Sequence, residues 1–317
     1  MQFLPRDFIE TCEGLFFAVV DRVTEEGRVL CFLRYGRPQG ITVKLDTTAA
    51  NSLLQTRYPA YLHYSRRLNA NLHAVPMENI KHHHSSRARV QSMIKSELLA
   101  EPNTSAIEIK LIKLIRYLDA QGVSPDDVGV TGSLLIAQQH AASDIDLVFY
   151  RRSSFNLARR AVAAGIQKGD LQALDMDDWQ AAWDRRGCEL DFDSFVRHER
   201  RKGNKGMLDG TRFDLALVVD EPLEEDEAVW VKQGVRQIQA RVKEDECAYD
   251  QPARYRLDHD EVDEILSFTH TYVGQALTGE MISACGMLEK SNDGRRRLII
   301  GSSREAPGEY IRVLWDE

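Results

Sequence analysis

The sequence predicts an α+β protein in three parts: a β-rich region over residues 1–102, a mixed sheet with flanking helices over 103–222, and a small β-barrel-like region over 223–317. Three observations carry that expectation. The N-terminal third alternates short apolar runs with turns, the middle interleaves helical and strand-like patterns, and short β-like runs return after an acidic break.

In the first part, LFFAVVDRV and RVLCFLRYG flank a turn at Glu25-Glu26-Gly27, and ITVKL follows a Pro-Gln-Gly turn, which together read as a small antiparallel sheet. TRYPAYLHYSRRL and ARVQSMIKSELL read as helical or mixed segments, and HHHSS, His82 to Ser86, as part of a loop. Successive residues point in different directions on either regular element, so one metal ion would need an irregular loop to gather the three histidines.

In the middle part, Ser105 and Glu108 have capping-box spacing, and Ile107, Leu111, Ile112, Leu114, Ile115 and Leu118 give a helical apolar face that stops at Gly122. A strand VGVT leads into Gly132-Ser133, a short helix-like LLIAQQH and the strand DIDLVFY. Helices are expected in SFNLARRAVAAGI, DDWQAAWDRRG and FDSFVRHERR, and a third strand in RFDLALVV, Arg212 to Val219. KGNKG lacks both phosphate-loop patterns and reads as a mobile turn.

The run Glu224, Glu225, Asp226, Glu227 marks the last boundary. Beyond it GVRQIQARV, EMISACGMLEK, RRRLIIGSS and EYIRVLW are β-like, with a hairpin signal at Asn292-Asp293-Gly294. A barrel of the oligonucleotide-binding kind is built this way, as are many others.

Composition bounds the function. The net charge of −8 gives no general attraction to nucleic acid, so polyanion binding has to come from local basic patches. One patch runs from Arg66-Arg67 through Lys81, Arg87, Arg89 and Lys95 and reads as a solvated charged face; the other is FVRHERRKGNKG, Phe195 to Gly206. No apolar run approaches the roughly 20 residues of a membrane span. The N-terminal stretch has neither the basic region nor the apolar core of a signal peptide, so the expected compartment is the cytoplasm. Five scattered cysteines without CxxC spacing read as reduced thiols, and no serine has a GxSxG setting.

The chemistry sits in TGSLLIAQQHAASDIDLVFY. Residues two apart on a strand share a face, so Asp144 and Asp146 present two carboxylates side by side while Ile145 and Leu147 turn to a core. Like charges so placed need a cation, and magnesium takes carboxylate oxygens while sharing positions with water and nucleotide phosphates. Asp214, among Phe213, Leu215 and Leu217, supplies a third carboxylate if its strand pairs beside DIDLVFY; Asp191 and Asp193 are its rivals. Three carboxylates suit two metal ions, with manganese an alternative to magnesium. Gly132 lets backbone approach a phosphate, and the Ser133 hydroxyl with the amides opening the next helix would receive the β- and γ-phosphates. Arg200, Arg201, Lys202 and Lys205 could neutralise a triphosphate or guide a polyanionic acceptor, or they could be cations that simply suit a helix C-terminus.

Gly132-Ser133 followed by Asp144-Ile145-Asp146 and a later strand bearing Asp214 resembles the nucleotidyltransferase superfamily that includes DNA polymerase β. The longer pattern GVTGSLLIAQQHAASDIDLVFY, with VPMENI before it and RRKGNKG after it, is similar to a mostly archaeal group of predicted nucleotidyltransferases of undefined acceptor, as are the β-rich N-terminus and GEMISACGMLEK. The resemblance implies a polymerase β-type domain, a mixed sheet flanked by helices, using an NTP such as ATP with magnesium. Asp144 and Asp146 would be metal ligands and Asp214 the third carboxylate. The expected reaction moves NMP from an NTP to an acceptor hydroxyl, first an RNA or tRNA 3′ end, with release of pyrophosphate. The alternative is a module on the same fold that binds nucleotide or RNA without turnover.

Overall fold

The computed structural model describes residues 2–37, 40–98, 105–140, 142–220, 228–303 and 306–315. The expected borders at 102/103 and 222/223, the acidic run Glu224 to Glu227 and part of the Pro-Gln-Gly turn lie outside these residues. The chain divides into two compact units, Met1–Gln172 with Gly206–Asp220, and Ala173–Lys205 with Glu221–Glu317.

The first unit begins with a seven-stranded sheet of β1 (Phe8–Thr11), β2 (Phe16–Glu25), β3 (Arg28–Gly36), β4 (Val43–Lys44), β5 (Leu62–Ser65), β6 (Ala70–Pro76) and β7 (Ile80–His84). Its order is β5-β6-β3-β2-β1-β7 with β4 also on β3, and these strands pair antiparallel, as alternating apolar runs joined by tight turns require. One face packs Phe17, Val19, Leu33 and Val75 against Ala50 and Leu54 of α1 (Thr47–Arg57), whose N-cap Asp46 accepts from Ala49 N at 2.8 Å. The other face gathers Phe8, Phe16 and Tyr35 with Leu135 and Ile136.

The three histidines are not in a loop. They belong to β7, where His83 bonds Asp7 across the sheet at 2.9 Å and His82 and His84 share the opposite side with ring centroids 4.4 Å apart. The period of two splits them between faces.

The same unit continues with α2 (Ser86–Leu98), α3 (Ala106–Ala120), β8 (Val128–Val130), β9 (Ile145–Phe149) and α4 (Arg152–Lys168). The Ser105–Glu108 capping box forms as its spacing requires. After the second unit's helices come β10 (Lys205–Leu208) and β11 (Thr211–Leu217), completing a mixed sheet in the order β10-β11-β9-β8, with β9–β11 parallel and β8–β9 antiparallel. α2 crosses β8 at Gly129, where a Cβ would lie 2.9 Å from the Ser86 carbonyl carbon, so only glycine permits the approach. KGNKG is not a free turn: Gly203 caps a helix in the left-handed region at φ 63° and β10 starts two residues later.

The second unit holds α5 (Met176–Arg186), α6 (Phe192–Lys202), β12 (Trp230–Glu244), β13 (Ala253–Asp258), β14 (Glu264–Ser267), β15 (Met281–Ser291), β16 (Arg296–Ile300) and β17 (Tyr310–Val313). The strands run β12-β13-β14-β16-β15, and β15 pairs back to β12, so five of them close a ring; β17 adds to β15. The Asn292-Asp293-Gly294 hairpin joins antiparallel β15 and β16, as its turn chemistry indicates. α5 and α6, expected with the middle part, group with this barrel. The reason is burial: His198 of α6 accepts from Val313 N at 3.1 Å, and Lys202 donates to Thr271 O at 2.6 Å. All five cysteines are free. Among the described residues no helix is long and apolar enough to cross a membrane.

Candidate functional site

The carboxylates meet in the mixed sheet of the first unit. In the parallel β9–β11 pair Asp214 is the direct register partner of Asp146, and Phe213 of Ile145. Ile145, Leu147, Phe213 and Leu215 are buried on one side, where Phe149 meets Phe155 of α4 at 5.8 Å. That alternation leaves Asp146 and Asp214 on the other face. Continuing the register one pleat back sets Arg212 beside Asp144, and the Arg212 Nε donates to Asp144 Oδ1 at 3.1 Å.

The Gly-Ser turn closes on these groups. Thr131 N donates to the Asp146 carbonyl at 3.0 Å, which fixes the chain end of β8 beside β9. Gly132 follows with φ 69°, and a Cβ there would stand 2.8 Å from Asp146 Oδ2. Two separate demands, left-handed backbone and contact with a carboxylate, select glycine at this position. The Ser133 hydroxyl reaches the Ser143 hydroxyl at 3.3 Å, and Ser143 in turn accepts from His140 N, bracing the return to Asp144.

The helix-like reading of LLIAQQH does not hold. Residues 132–137 form turns, with Gln138 N bonded to Ser133 O at 2.9 Å and Ala137 left-handed at φ 54°. Leu134, Leu135 and Ile136 are all buried, and three consecutive apolar residues cannot be buried by one stripe of a helix, so the irregular turn wins. Gly132 and Ser133 therefore open no helix, and the amides and hydroxyl they offer are those of a tight turn.

Electrostatics show the carboxylates acting on one another. Asp146 is pushed up to about 6, first by burial, then by the charge of Asp214, with Asp144 adding and Arg6 and Lys44 opposing. Tyr35 is likewise raised, mainly by burial, with the charge of Asp146 contributing. Arg6, Tyr35 and Lys44 thus lie within electrostatic reach of Asp146 and Arg212 in contact with Asp144, and the motif contains none of them. Arg212 could have been read from RFD, whose alternation mirrors Asp144-Ile145-Asp146; Arg6 and Lys44 carry no sequence signal, since the sheet fold alone brings them near.

All-carboxylate oxygen donors suit magnesium or manganese. Among the described residues, however, no three His, Cys, Asp or Glu side chains are drawn together closely enough to ligate an ion as they stand. Asp144 is turned to Arg212 instead, and metal binding would require it to exchange that partner.

Asp191 and Asp193 are in the second unit. Asp191 is the N-cap of α6, accepting from Ser194 N at 2.8 Å, which holds its carboxyl below the usual range, and Asp193 sits in the first turn. The basic run is in the second unit also. Lys202 is only 2% exposed; its ammonium lies 2.5 Å from Glu199 Oε1, while Lys205 takes Glu199 Oε2 at 2.7 Å. Burial opposes the Glu199 charge, but the two ammonium groups outweigh it and hold that carboxyl far down. Arg201 pairs with Glu280 at 2.8 Å, and Arg200 is exposed with Met176 Sδ at 3.4 Å. Replacing Lys202 with Met leaves Glu199 buried with one cation fewer, so a denaturant melt should show a loss of about 3 kcal/mol. Unchanged stability would rule out this structural role. The first basic patch is a set of ion pairs, Arg67–Asp21, Lys81–Glu10, Arg87–Asp220 and Arg89–Glu108.

Uncharacterized protein MJ1086 of Methanocaldococcus jannaschii is 33% identical to this chain over an alignment of 337 residues that covers 97% of this chain and 98% of the relative. No family model and no solved structure matches the chain. Identity of that degree along nearly the whole of both proteins means that the chain belongs to the same family as the Methanocaldococcus jannaschii protein.

Proposed function

We propose that the protein is a magnesium-dependent nucleotidyltransferase of the polymerase β type. The observation that carries this reading is the register of Asp214 against Asp146 on parallel strands, with Gly132 held against the Asp146 carboxylate. Asp144, Asp146 and Asp214 would hold the metal, which when bound lowers the pKa of an attacking hydroxyl and neutralises charge on the leaving phosphates. Gly132 and Ser133 receive the triphosphate. An acceptor hydroxyl oxygen forms a bond to the α-phosphorus, the bond from that phosphorus to the β-phosphate bridging oxygen breaks, pyrophosphate leaves with the electron pair, and the hydroxyl proton goes to solvent. Catalysis is then positioning plus charge stabilisation.

An RNA 3′ end is the proposed acceptor. Support comes from the second unit, whose closed five-strand ring matches the strand count of oligonucleotide-binding barrels. The ion pair between Asp144 and Arg212 favours a second reading, a nucleotide-binding module without turnover, because it occupies a carboxylate that catalysis needs. Incubation with magnesium, each α-labelled NTP and total cellular RNA separates the two. Label passing to RNA with the wild type, and none with the Asp144→Asn/Asp146→Asn variant, supports the enzyme. NTP binding without pyrophosphate release in either protein supports the module.

A further inference from the structure

The four basic residues that the sequence offers for the triphosphate belong to the second unit, and two of them are committed to Glu199. A site with three carboxylates that also takes a triphosphate needs cations of its own. The first unit supplies them from Arg6, just before β1, and Lys44 of β4.

The segment before β1 lies on the carboxylate-bearing face of β9. Leu4 packs in one buried cluster with Val148, Tyr150 and Val218, and Val148 shares its face with Asp146 two residues earlier. Arg6 comes two residues after Leu4. Its backbone is clamped: Arg6 N donates to Val19 O at 2.9 Å, and its carbonyl accepts from Ser86 Oγ at 3.2 Å and from Thr131 Oγ1 at 2.6 Å. Thr131 immediately precedes Gly132, so Arg6 is tied to the Gly-Ser turn itself. Arg6 also holds a left-handed backbone, φ 74°, a conformation that a non-glycine residue keeps only when its surroundings enforce it.

Lys44 comes from β4. It is the register partner of Tyr35 in the β3–β4 pair, and Tyr35 packs against Leu135 and Ile136, the residues of the turn that follow Ser133. Arg6 is half-buried and Lys44 exposed.

We infer that Arg6 and Lys44 form the triphosphate subsite of this centre, so that the N-terminal part of the first unit, rather than the basic helix, holds the β- and γ-phosphates of the nucleotide over the Gly132-Ser133 turn. This rests on the nucleotidyltransferase reading for the identity of the ligand. The guanidinium of Arg6 would take non-bridging phosphate oxygens in its fork, and the Lys44 ammonium would act as a point charge beside them.

The test is equilibrium binding of a fluorescent ATP, with ADP and AMP as competitors, to the full chain in magnesium, for the wild type, Arg6→Asn and Lys44→Ala. Asparagine suits the left-handed backbone of position 6, and Lys44 lies on an exposed two-residue strand, so Lys44→Ala keeps the test valid should Arg6→Asn fold poorly. Each variant should weaken ATP about tenfold, ADP less, and AMP within about twofold of the wild type, as befits loss of a charge-assisted contact to the terminal phosphates. Equal weakening of all three nucleotides, or none, overturns the inference. A wild type that binds no ATP overturns it together with the transferase reading. The graded loss in the variants, with a wild type that never releases pyrophosphate, upholds the subsite and removes only the transfer reaction.

Discussion

Asp146→Asn is expected to reduce nucleotidyl transfer by roughly a thousandfold or more and, in the same protein without metal, to raise its stability. The two effects have one cause. Asp146 stands opposite Asp214 and close to Asp144, and burial together with those charges lifts its carboxyl from 3.8 to about 6. The folded state therefore binds a proton more tightly than the unfolded chain. Its advantage from that proton is complete below about pH 4 and is lost as pH rises through 6. Allowing for the partial exposure of the side chain, the penalty at pH 8 is on the order of 2 kcal/mol, which asparagine removes. Denaturant melts in chelator should show the variant ahead of the wild type at pH 8 and level with it near pH 4. Magnesium should then stabilise the wild type more than the variant. A variant no more stable than the wild type at pH 8 would mean that the carboxylates do not oppose one another in solution.

Gly132→Ala should give the second largest loss of activity. The methyl group meets Asp146 Oδ2 at 2.8 Å, and the backbone at φ 69° costs an alanine about 1–2 kcal/mol before that contact is relieved. The carboxylate is the softer partner and turns away. In the proposed transferase, displacing the Asp146 carboxylate by about 1 Å is enough to cost about a hundredfold in transfer. Melting should show a drop of about 1–3 kcal/mol, far short of unfolding, so that activity falls in a folded protein. Full activity in the alanine variant would break the link between the turn and the carboxylates.

The sequence made the face of β9 legible because strand alternation is strict: DIDLVF can bury Ile145, Leu147 and Phe149 only by turning Asp144 and Asp146 the other way. It made the Ser105 capping box and the Asn292-Asp293-Gly294 hairpin legible for similar local reasons. The partner of Asp146 was readable only conditionally, since which strand pairs with which depends on contacts spanning dozens of residues. LLIAQQH went wrong because three neighbouring apolar residues all find burial in an irregular turn, a solution no periodicity announces. Composition left the basic run open between two roles. Lys202 and Lys205 pair with a buried glutamate, and nothing in FVRHERRKGNKG distinguishes a cation serving a neighbour from one awaiting a ligand. Arg6 and Lys44 were invisible for the opposite reason, since each is an ordinary residue until two sheets fold together.

The excursion of the chain between β9 and β11 also sets an order of assembly. As the protein emerges from the ribosome, Gly132, Asp144 and Asp146 precede the helices of the second unit, and Asp214 comes only after the chain has returned at Gly206. Until then β9 has β8 on one side alone, and its other edge presents an apolar strand without a neighbour. An exposed edge of that kind invites pairing with other nascent chains. The last strand to arrive therefore does two jobs at once: β11 covers the open edge of β9 and delivers Asp214 to the candidate site, so that an incompletely folded chain also lacks its third carboxylate.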